Sequence, residues 1–289
     1  MSLPDNWEIA LFSKHLQKLS LETIAELLPQ TGINALDLTV RPGGHIEPAD
    51  AAEKLPAFCD FFQKHNIKIT MITTNITDAA DPVTVSILKA AAACQIKYYK
   101  TGYFNYDGFG TLKARKTEVR EKFLRLAELN AALGIHGGYH NHSDIFFGAN
   151  VCDIVEAQRD IPKAHLGIYF DAAHATIEGG GAAWEQSMDA AAERITMLAV
   201  KDFIRLDNKT GYTGGRRSSI LFHPLHGGEV CWVKFLKNLR QTGFAGPVSF
   251  HSEYQGQHSF ADLSDLGVLH QTKIDFDNFK KYYAEAEQP

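Results

Sequence analysis

The stretch TLKARKTEVREKFLRLAELNAALGIHGGYHNHSD, residues 111–144, decides the fold because it contains one whole repeat of the chain's pattern. A run with helical spacing ends at Gly134, and glycine is the residue favoured just after a helix. A short strand-like run follows and leads into polar residues. Alternation along a strand places His136, His140 and His142 on one face. The stretch therefore predicts a helix and then a strand whose end carries histidines.

Strand-like and helical runs alternate eight times along the chain, in the order strand then helix. Strands that alternate with helices of about 10–15 residues indicate parallel β/α units. Eight units predict a closed (β/α)8 TIM barrel, which is an α/β fold. The alternative is an open doubly wound sheet, but FSKHLQ, residues 12–17, lacks the glycine-rich turn usual after its first strand. No linker rich in Pro, Ser or Gly divides residues 1–289, so we expect a single domain.

The widest apparent loop lies near residues 204–228 and contains NKTGYTGGRRSS, residues 208–219. Long loops in compact domains are usually either functional or disordered. The sequence leaves two alternatives open for this loop, a mobile flap over a functional site and a solvated excursion.

Composition and charge argue against several classes of partner. The chain has 34 acidic and 29 basic residues, a net charge of −5, which disfavours a nucleic-acid binder. It lacks an apolar run long enough to span a bilayer and the features of a secretory signal. Its four cysteines have no zinc-finger spacing, so we expect reduced thiols in a cytoplasmic protein without membrane contact.

At least six of the eight predicted strands end in polar residues, at the end of a barrel where chemistry takes place. These polar residues are Asp37 and Arg41, Thr73 and Asn75, Lys100, His140 and His142, Asp171 and His174, Lys201 and Asp202, and His251 and Glu253. If these faces point inward, His140, Asp171 and Glu253 converge. One imidazole and two carboxylates suit a divalent transition metal, and hydrogen-bonded structural residues are the alternative.

Segments of the chain resemble, in order, those of the sugar phosphate isomerase/epimerase family of xylose isomerase-like TIM barrels. Those similar to its second and third strands are GINALDLTVRPGGHIEP (32–48) and IKITMITTN (67–75). Those similar to its fifth to eighth strands are GIHGGYHNHSD (134–144), HLGIYFDAAHATIEGG (165–180), ITMLAVKDF (195–203) and GPVSFHSEY (246–254). The resemblance covers nearly the whole chain and implies a TIM barrel enzyme of carbohydrate metabolism.

The resemblance also implies a divalent metal, which could be Mn, Zn, Co, Fe or Mg. It assigns three ligands, which are His140, Asp171 and Glu253. At the fourth place, after strand seven, the family's HxKD reads AVKD, so Ala199 stands where a histidine ligand is expected. His251, His142 or a water could complete the set. The alternative is a site that binds metal poorly or not at all.

Other rim residues are predicted to contact the substrate. His174 matches the place of a substrate-binding histidine in the family. Lys100 and Arg41 suit an anionic group such as a phosphate or carboxylate, with rim ion pairs as the alternative. The remaining substrate-binding candidates are Asp37, His142 and His226. For His226, a position on the surface is the alternative.

We therefore predict a sugar or sugar phosphate isomerase/epimerase that moves a proton beside a carbonyl through an enediolate. His140 or Glu253 would be the base, and a metal or Lys201 would stabilise the oxyanion. The alternative role of Lys201 is an ion pair with Asp202 or a neighbouring carboxylate. His140 stands where epimerases carry a glutamate, so their symmetric pair of acid/base glutamates is incomplete here.

Three other functions remain as alternatives. The same enediolate could expel a substituent, giving a dehydratase or lyase on a keto-sugar or keto-inositol. Ala199 keeps open a non-catalytic barrel that only binds sugar. Cleavage of DNA at abasic sites is disfavoured by the acidic charge and the absent metal ligands. The expected partner is a small carbohydrate, and a homodimer or tetramer is expected by analogy.

Overall fold

The computed structural model describes residues 3–206 and 219–288 and confirms the predicted (β/α)8 TIM barrel. Strands β1 to β10 are Trp7–Phe12, Ala35–Thr39, Lys68–Thr73, Tyr98–Lys100, His136–His140, Leu166–Asp171, Ile195–Val200, Asp202–Leu206, Ser219–His223 and Gly246–Phe250. Helices α1 to α8 are Leu21–Leu27, Ala51–Lys64, Pro82–Ala93, Leu112–Leu133, Val151–Ala157, Ala172–Ala191, Trp232–Gln241 and Asp265–Ala286.

Eight parallel strands close the barrel in the order β1-β2-β3-β4-β5-β6-β7-β10. The barrel closes where β1 pairs with β10, with Trp7 opposite Gly246. Strands β8 and β9 form a separate antiparallel hairpin between β7 and α7. All eight barrel strands run in one direction, so their carboxyl ends meet at one rim.

Local signals in the sequence account for where the helices begin and end. The Ser20 hydroxyl accepts a hydrogen bond from the Thr23 N–H and caps α1. Asp81 caps α3 in the same way, and Pro82 occupies its first position. Helix α4 ends at Gly134, whose φ of 65° lies in the left-handed region that glycine adopts without strain.

The barrel interior combines a buried apolar cluster with a few buried polar side chains. Met71, Tyr169, Met197 and Ala199 form a buried cluster inside the barrel. Gly138 in β5 makes room for it, because a Cβ at this position would lie 2.3 Å from the Met197 sulfur. This cluster fills the barrel interior beside Asp37, which accepts hydrogen bonds from Thr73 and Ser249.

The structure differs from the predicted strands at two rim positions. Strand β6 ends at Asp171, whose Oδ1 accepts from the His174 N–H at 2.9 Å, so His174 lies in the first turn of α6. Strand β7 ends at Val200, and Asp202 begins the hairpin. The expectation that ITMLAVKDF forms one continuous strand was therefore wrong in its last residues, because the chain turns there into a second sheet.

Asp202 anchors the segment that follows the hairpin. Its Oδ1 accepts from the N–H groups of Glu229 and Val230 at 2.9 and 3.0 Å, and its Oδ2 accepts from the Trp232 indole at 2.8 Å. Burial raises the pKa of this carboxyl to about 7. Asp202 is thus engaged by backbone and indole donors, and the carboxylates that contact Lys201 are Asp171 and Glu253 instead.

Two further expectations concern the chain as a whole. Most of the predicted loop NKTGYTGGRRSS falls on residues 207–218, which lie outside the described residues. In the described part of the chain, every helix is too short or too polar to span a bilayer.

Replacing Asp202 by alanine is expected to destabilise the fold by at least about 2 kcal/mol, because buried N–H groups lose their acceptor. Asp277 offers a matched control, since this half-exposed carboxylate pairs only with Lys273 and Lys280 among the described side chains. Asp277→Ala should cost at most about 1 kcal/mol. Urea denaturation of both variants measures the difference, and equal losses would contradict the anchoring role of Asp202.

Candidate active site

Asp171 is the centre of a buried polar cluster at the carboxyl rim. Its side chain is fully buried, and its Oδ2 lies 3.1 Å from His140 Nε2 and 3.2 Å from Lys201 Nζ. Burial alone would raise the pKa of this carboxyl, but Lys201, His174 and His140 hold the pKa well below its ordinary value. Asp171 is therefore a carboxylate at neutral pH.

Asn141 fixes the strand ends beneath the cluster. Its side-chain amide donates to the Asp171 carbonyl at 3.0 Å, and its side-chain oxygen accepts from the Asp171 N–H at 2.7 Å. This double hydrogen bond joins the end of β5 to the end of β6. The asparagine between His140 and His142 thus holds the backbone of Asp171 in place.

Lys201 lies between the carboxylates of Asp171 and Glu253. Its Nζ lies 2.8 Å from His174 Nε2, 3.2 Å from Asp171 Oδ2 and 3.4 Å from Glu253 Oε1. Burial lowers the pKa of this amine, whereas the carboxylates of Asp171 and Glu253 raise it by a larger amount. The net shift of the pKa is therefore upward. An ammonium has three N–H donors, and these three acceptors use all of them.

The charges around His140 fix its tautomer. A carboxylate only accepts hydrogen bonds, so His140 donates from Nε2 to Asp171. Its Nδ1 then accepts from the Tyr103 hydroxyl at 2.7 Å. Burial lowers the pKa of His140 to about 4, which keeps the ring neutral. Both nitrogens of this predicted base or ligand are therefore engaged.

The Lys201 ammonium fixes the position of the proton on His174. Its Nε2 accepts from the Lys201 ammonium, so its Nδ1 donates to the Ser143 hydroxyl at 2.8 Å. Burial lowers the pKa of His174 well below its ordinary value. The His142 ring lies against it, with 3.8 Å between ring centroids. These two predicted substrate-binding histidines lie together beside Lys201.

Glu253 connects the cluster to the solvent. Its Oε1 faces Lys201, and its Oε2 lies 3.1 Å from Lys14 Nζ. Burial would raise the pKa of this carboxyl, but Lys201 and Lys14 hold it well below the ordinary value. Its side chain is 16% exposed, against 3% for Lys201 and 0% for Asp171. Of these three residues, Glu253 is the one that a molecule in the barrel mouth can reach.

His251 faces the cluster but is held on two sides. The Tyr169 hydroxyl lies 2.7 Å from its Nε2, and its ring stacks on Phe12 with 4.5 Å between centroids. Its Nδ1 lies 3.9 Å from Glu253 Oε1. The predicted metal ligand His251 thus presents only Nδ1 toward the rest of the cluster.

The remaining predicted substrate contacts are scattered. Asp37 is buried inside the barrel, where it accepts from Thr73 and Ser249. The Arg41 guanidinium lies 5.6 Å from the Phe12 ring centroid. His226 is exposed, and no hydrogen bond between it and the cluster occurs among the described residues.

Lys100 is a buried amine beside the cluster. Its Nζ has no hydrogen-bond partner within residues 3–206 and 219–288 and lies 3.5 Å from the Tyr103 ring centroid. Burial, with Arg41 nearby, lowers the pKa of this amine to about 7. An anionic group of a substrate would accept a hydrogen bond from this amine. The role of Lys100 in substrate binding stays a prediction.

Two residues that contact the cluster were absent from the predicted site. Tyr103 follows β4 in YYKTGY, where only Lys100 was singled out, and Lys14 lies in FSKHLQ after β1. Both directly follow barrel strands, so the rule that directed attention to strand ends could have identified them.

Three described residues form a possible ligand group for a metal ion. Ligand atoms of His140, Asp171 and His251 lie within 4.8 Å of one another. However, the Asp171 oxygen that contacts His140 also holds the Lys201 ammonium. An ion about 2 Å from this oxygen would lie within about 5 Å of Nζ. At an effective dielectric constant of about 20, that repulsion is on the order of 6 kcal/mol and offsets part of the ion's attraction to the carboxylate. The oxygen that an ion would need is already paired with the Lys201 ammonium, so the residues as arranged do not fit a divalent ion beside this lysine.

Buried histidines make the fold sensitive to acid. Burial lowers the pKa of seven of them, five to about 4 and two well below the ordinary value; they are His15, His45, His136, His140, His142, His174 and His251. As pH falls below about 6.5, the unfolded chain binds protons that the folded chain does not, so stability decreases. Burial raises the pKa of Asp37, Asp202 and Asp275 to about 6, 7 and 6, which opposes the effect with fewer groups.

The free energy of unfolding is therefore expected to fall between about pH 7 and about pH 5. Urea denaturation at the two ends of this range measures it. His136→Gln should weaken the dependence, whereas His270→Gln, which changes an exposed residue of α8, should leave it unchanged. A constant or rising free energy of unfolding on acidification would contradict the assignment of buried neutral histidines.

Comparison with solved structures shows similarity over nearly the whole chain. A xylose isomerase-like TIM barrel protein from Mycobacterium smegmatis, solved in complex with magnesium, is 14% identical, with a TM-score of 0.69 over 98% of this chain and 100% of that one. D-allulose 3-epimerase from Methylomonas sp. is 15% identical, with a TM-score of 0.66 over 98% and 100%. A probable 3-DHS dehydratase from Bacillus anthracis is 14% identical, with a TM-score of 0.66 over 92% and 98%.

At these identities the structural similarity establishes the fold and nothing finer. No curated protein sequence matches the chain significantly. The family model described as xylose isomerase-like TIM barrel matches residues 25–266, which is more than half of the chain. This match confirms the family resemblance of the sequence segments, and the chain belongs to the xylose isomerase-like TIM barrel family.

Proposed function

We propose that the protein is a carbohydrate isomerase or epimerase that moves a proton beside a carbonyl through an enediolate. The observation that carries this proposal is the Lys201 ammonium, held between Asp171 and Glu253 at the barrel rim. The family assignment and the epimerases among similar structures support it. The proposed partner is a small carbohydrate.

Removal of a proton beside a carbonyl places negative charge on the carbonyl oxygen. A fixed cation aimed at that oxygen lowers the barrier most when it needs no reorganisation. Lys201 is buried, charged and oriented by His174 and Asp171. Its contact with Glu253, at 3.4 Å, is the longest of its three. A substrate carbonyl oxygen that replaces this contact receives a hydrogen bond from the ammonium and displaces the Glu253 carboxylate.

Glu253 is the favoured base. It is ionised and lies nearest the solvent. Once a substrate has displaced it from Lys201, its carboxylate can take the proton from the substrate carbon. The electron pair of the broken C–H bond then forms the double bond of the enediolate, and the carbonyl oxygen takes up the negative charge. Lys14 holds its other oxygen in place. His140 is the less favoured base, because Asp171 and Tyr103 engage both of its nitrogens. Return of the proton to the neighbouring carbon gives an isomer, whereas an epimer also needs a second proton donor on the opposite face of the enediolate.

A dehydratase or lyase is the second candidate, favoured by the asymmetry of the site. Inversion at one carbon needs proton donors on both faces, but Asp171 is fully buried and engaged by His140, Lys201 and the His174 N–H. One available carboxylate is sufficient to form an enediolate that expels a neighbouring substituent. The probable dehydratase among similar structures supports this candidate.

Replacing Lys201 by methionine tests the proposal. Wild-type protein should exchange carbon-bound protons of a ketose, a keto-inositol or a 3-keto-glycoside with deuterium from heavy water. Loss of the ammonium should slow this exchange at least about 100-fold, the effect of removing one oxyanion donor. The matched control is Lys68→Met, because Lys68 is an exposed lysine on β3 paired with Glu8.

Circular dichroism of both variants distinguishes loss of chemistry from loss of fold. Full exchange activity in a folded Lys201→Met protein would remove Lys201 from the mechanism. Tight sugar binding without exchange by wild-type protein would favour the non-catalytic barrel. Product analysis distinguishes the two enzymatic candidates, because an isomerase retains every substrate atom whereas a lyase releases water or another leaving group.

A further inference from the structure

We propose that the Lys201 ammonium takes the place of the divalent metal that the family resemblance implies, so that this centre operates without a metal ion. The structural part of this inference does not depend on the reaction. Only the statement that the centre turns over without metal rests on the proposed function. We base the proposal on three observations, which are the charge balance of the site, the spacing of the hydrogen-bond acceptors around Lys201 and the residue at the fourth ligand position.

The two carboxylates of the site already have two cationic partners. Asp171 and Glu253 contribute two negative charges, and Lys201 and Lys14 contribute two positive charges at contact distance. A divalent ion would supply the same total charge in one atom. Here the charge is divided between a buried lysine and a partly exposed one, so the site needs no further cation to be neutral.

The acceptors are spaced for an ammonium. His174 Nε2 and Asp171 Oδ2 lie 2.8 and 3.2 Å from Nζ, within the usual range of hydrogen bonds, and Glu253 Oε1 lies slightly further away at 3.4 Å. Bonds from zinc to nitrogen and oxygen ligands are about 2.0–2.2 Å. An ion could replace the ammonium only if the acceptors closed in by roughly an ångström and the lysine left a fully packed site.

Strand β7 explains why the lysine occupies this space. Ala199 lies directly opposite Asp171 in the β6–β7 register and belongs to the apolar cluster inside the barrel. Its methyl group offers no ligand and no bulk at the rim. Lys201, two residues further along the chain and directly after the end of β7, can therefore extend over Ala199 and reach Asp171.

The nearby imidazoles do not replace the missing ligand. His251 is held at Nε2 by Tyr169, and His140 is held at both nitrogens. His174 accepts from the ammonium itself. Binding of an ion would require several of these hydrogen bonds to break together.

Manganese and zinc binding to the purified protein test the inference, measured by calorimetry and by elemental analysis after gel filtration. Wild-type protein should not retain either metal stoichiometrically. Lys201→Ala, and the double variant Ala199→His with Lys201→Ala, remove the ammonium and should bind manganese at least about tenfold more tightly than wild type. Lys68→Ala, which removes an exposed lysine outside the site, should bind no better than wild type.

Stoichiometric binding by the wild type that Asp171→Asn abolishes would overturn the inference. Failure of both Lys201 variants to bind more tightly than wild type would also overturn it, because the ammonium would then not be what excludes the ion. Proton exchange that persists after chelator treatment supports the inference, and exchange that requires added metal refutes it. Absence of exchange on every substrate, with no metal bound, refutes the proposed function and leaves the structural inference intact.

Discussion

The contact between the Lys201 ammonium and the Asp171 carboxylate is the interaction on which the rest of the site depends. A fully buried carboxylate without a partner is strongly destabilising, so this ion pair and its hydrogen bonds must form together. Its formation fixes the protons around it. His140 must donate to Asp171, His174 must accept from Lys201, and Tyr103 and Ser143 complete the pattern as donor and acceptor. One ion pair thereby orders four further polar side chains at the barrel mouth.

The barrel builds this contact from short-range geometry. Register places Ala199 opposite Asp171, and the alternation of strand residues places Lys201 above Ala199. Helix α6 begins directly after Asp171, so the same carboxylate caps the helix through the His174 N–H. Asn141 joins the ends of β5 and β6. Asn141 and the start of α6 therefore fix the backbone of Asp171, which is the preorganisation that an oxyanion site requires.

Much of the fold and part of the site could be predicted because the signals are local. The strand-helix alternation and the glycine at the end of α4 depend on residues close in sequence, and they identified the barrel and its rim. His140, Asp171, Lys201 and Glu253 were identified from the same rule. Tyr103 and Lys14 were missed, and His174 was assigned to a strand instead of a helix. Tyr103 and Lys14 follow strands as the identified residues do, but their partners His140 and Glu253 lie far away in the sequence, and periodicity does not encode such contacts. The helix that contains His174 begins at the local Asp171 cap.

At position 199 the sequence departs from the family pattern, because an alanine stands where a histidine ligand is expected. In the sequence it appeared as a missing ligand. In the structure it is the small residue that lets Lys201 reach the carboxylates. A crystal structure obtained in excess manganese, with anomalous scattering to locate the ion, tests this claim most directly. The account predicts Lys201 Nζ between Asp171 and Glu253 and no manganese bound to Asp171. A manganese ion bonded to Asp171, with Lys201 turned away from it, would contradict the account.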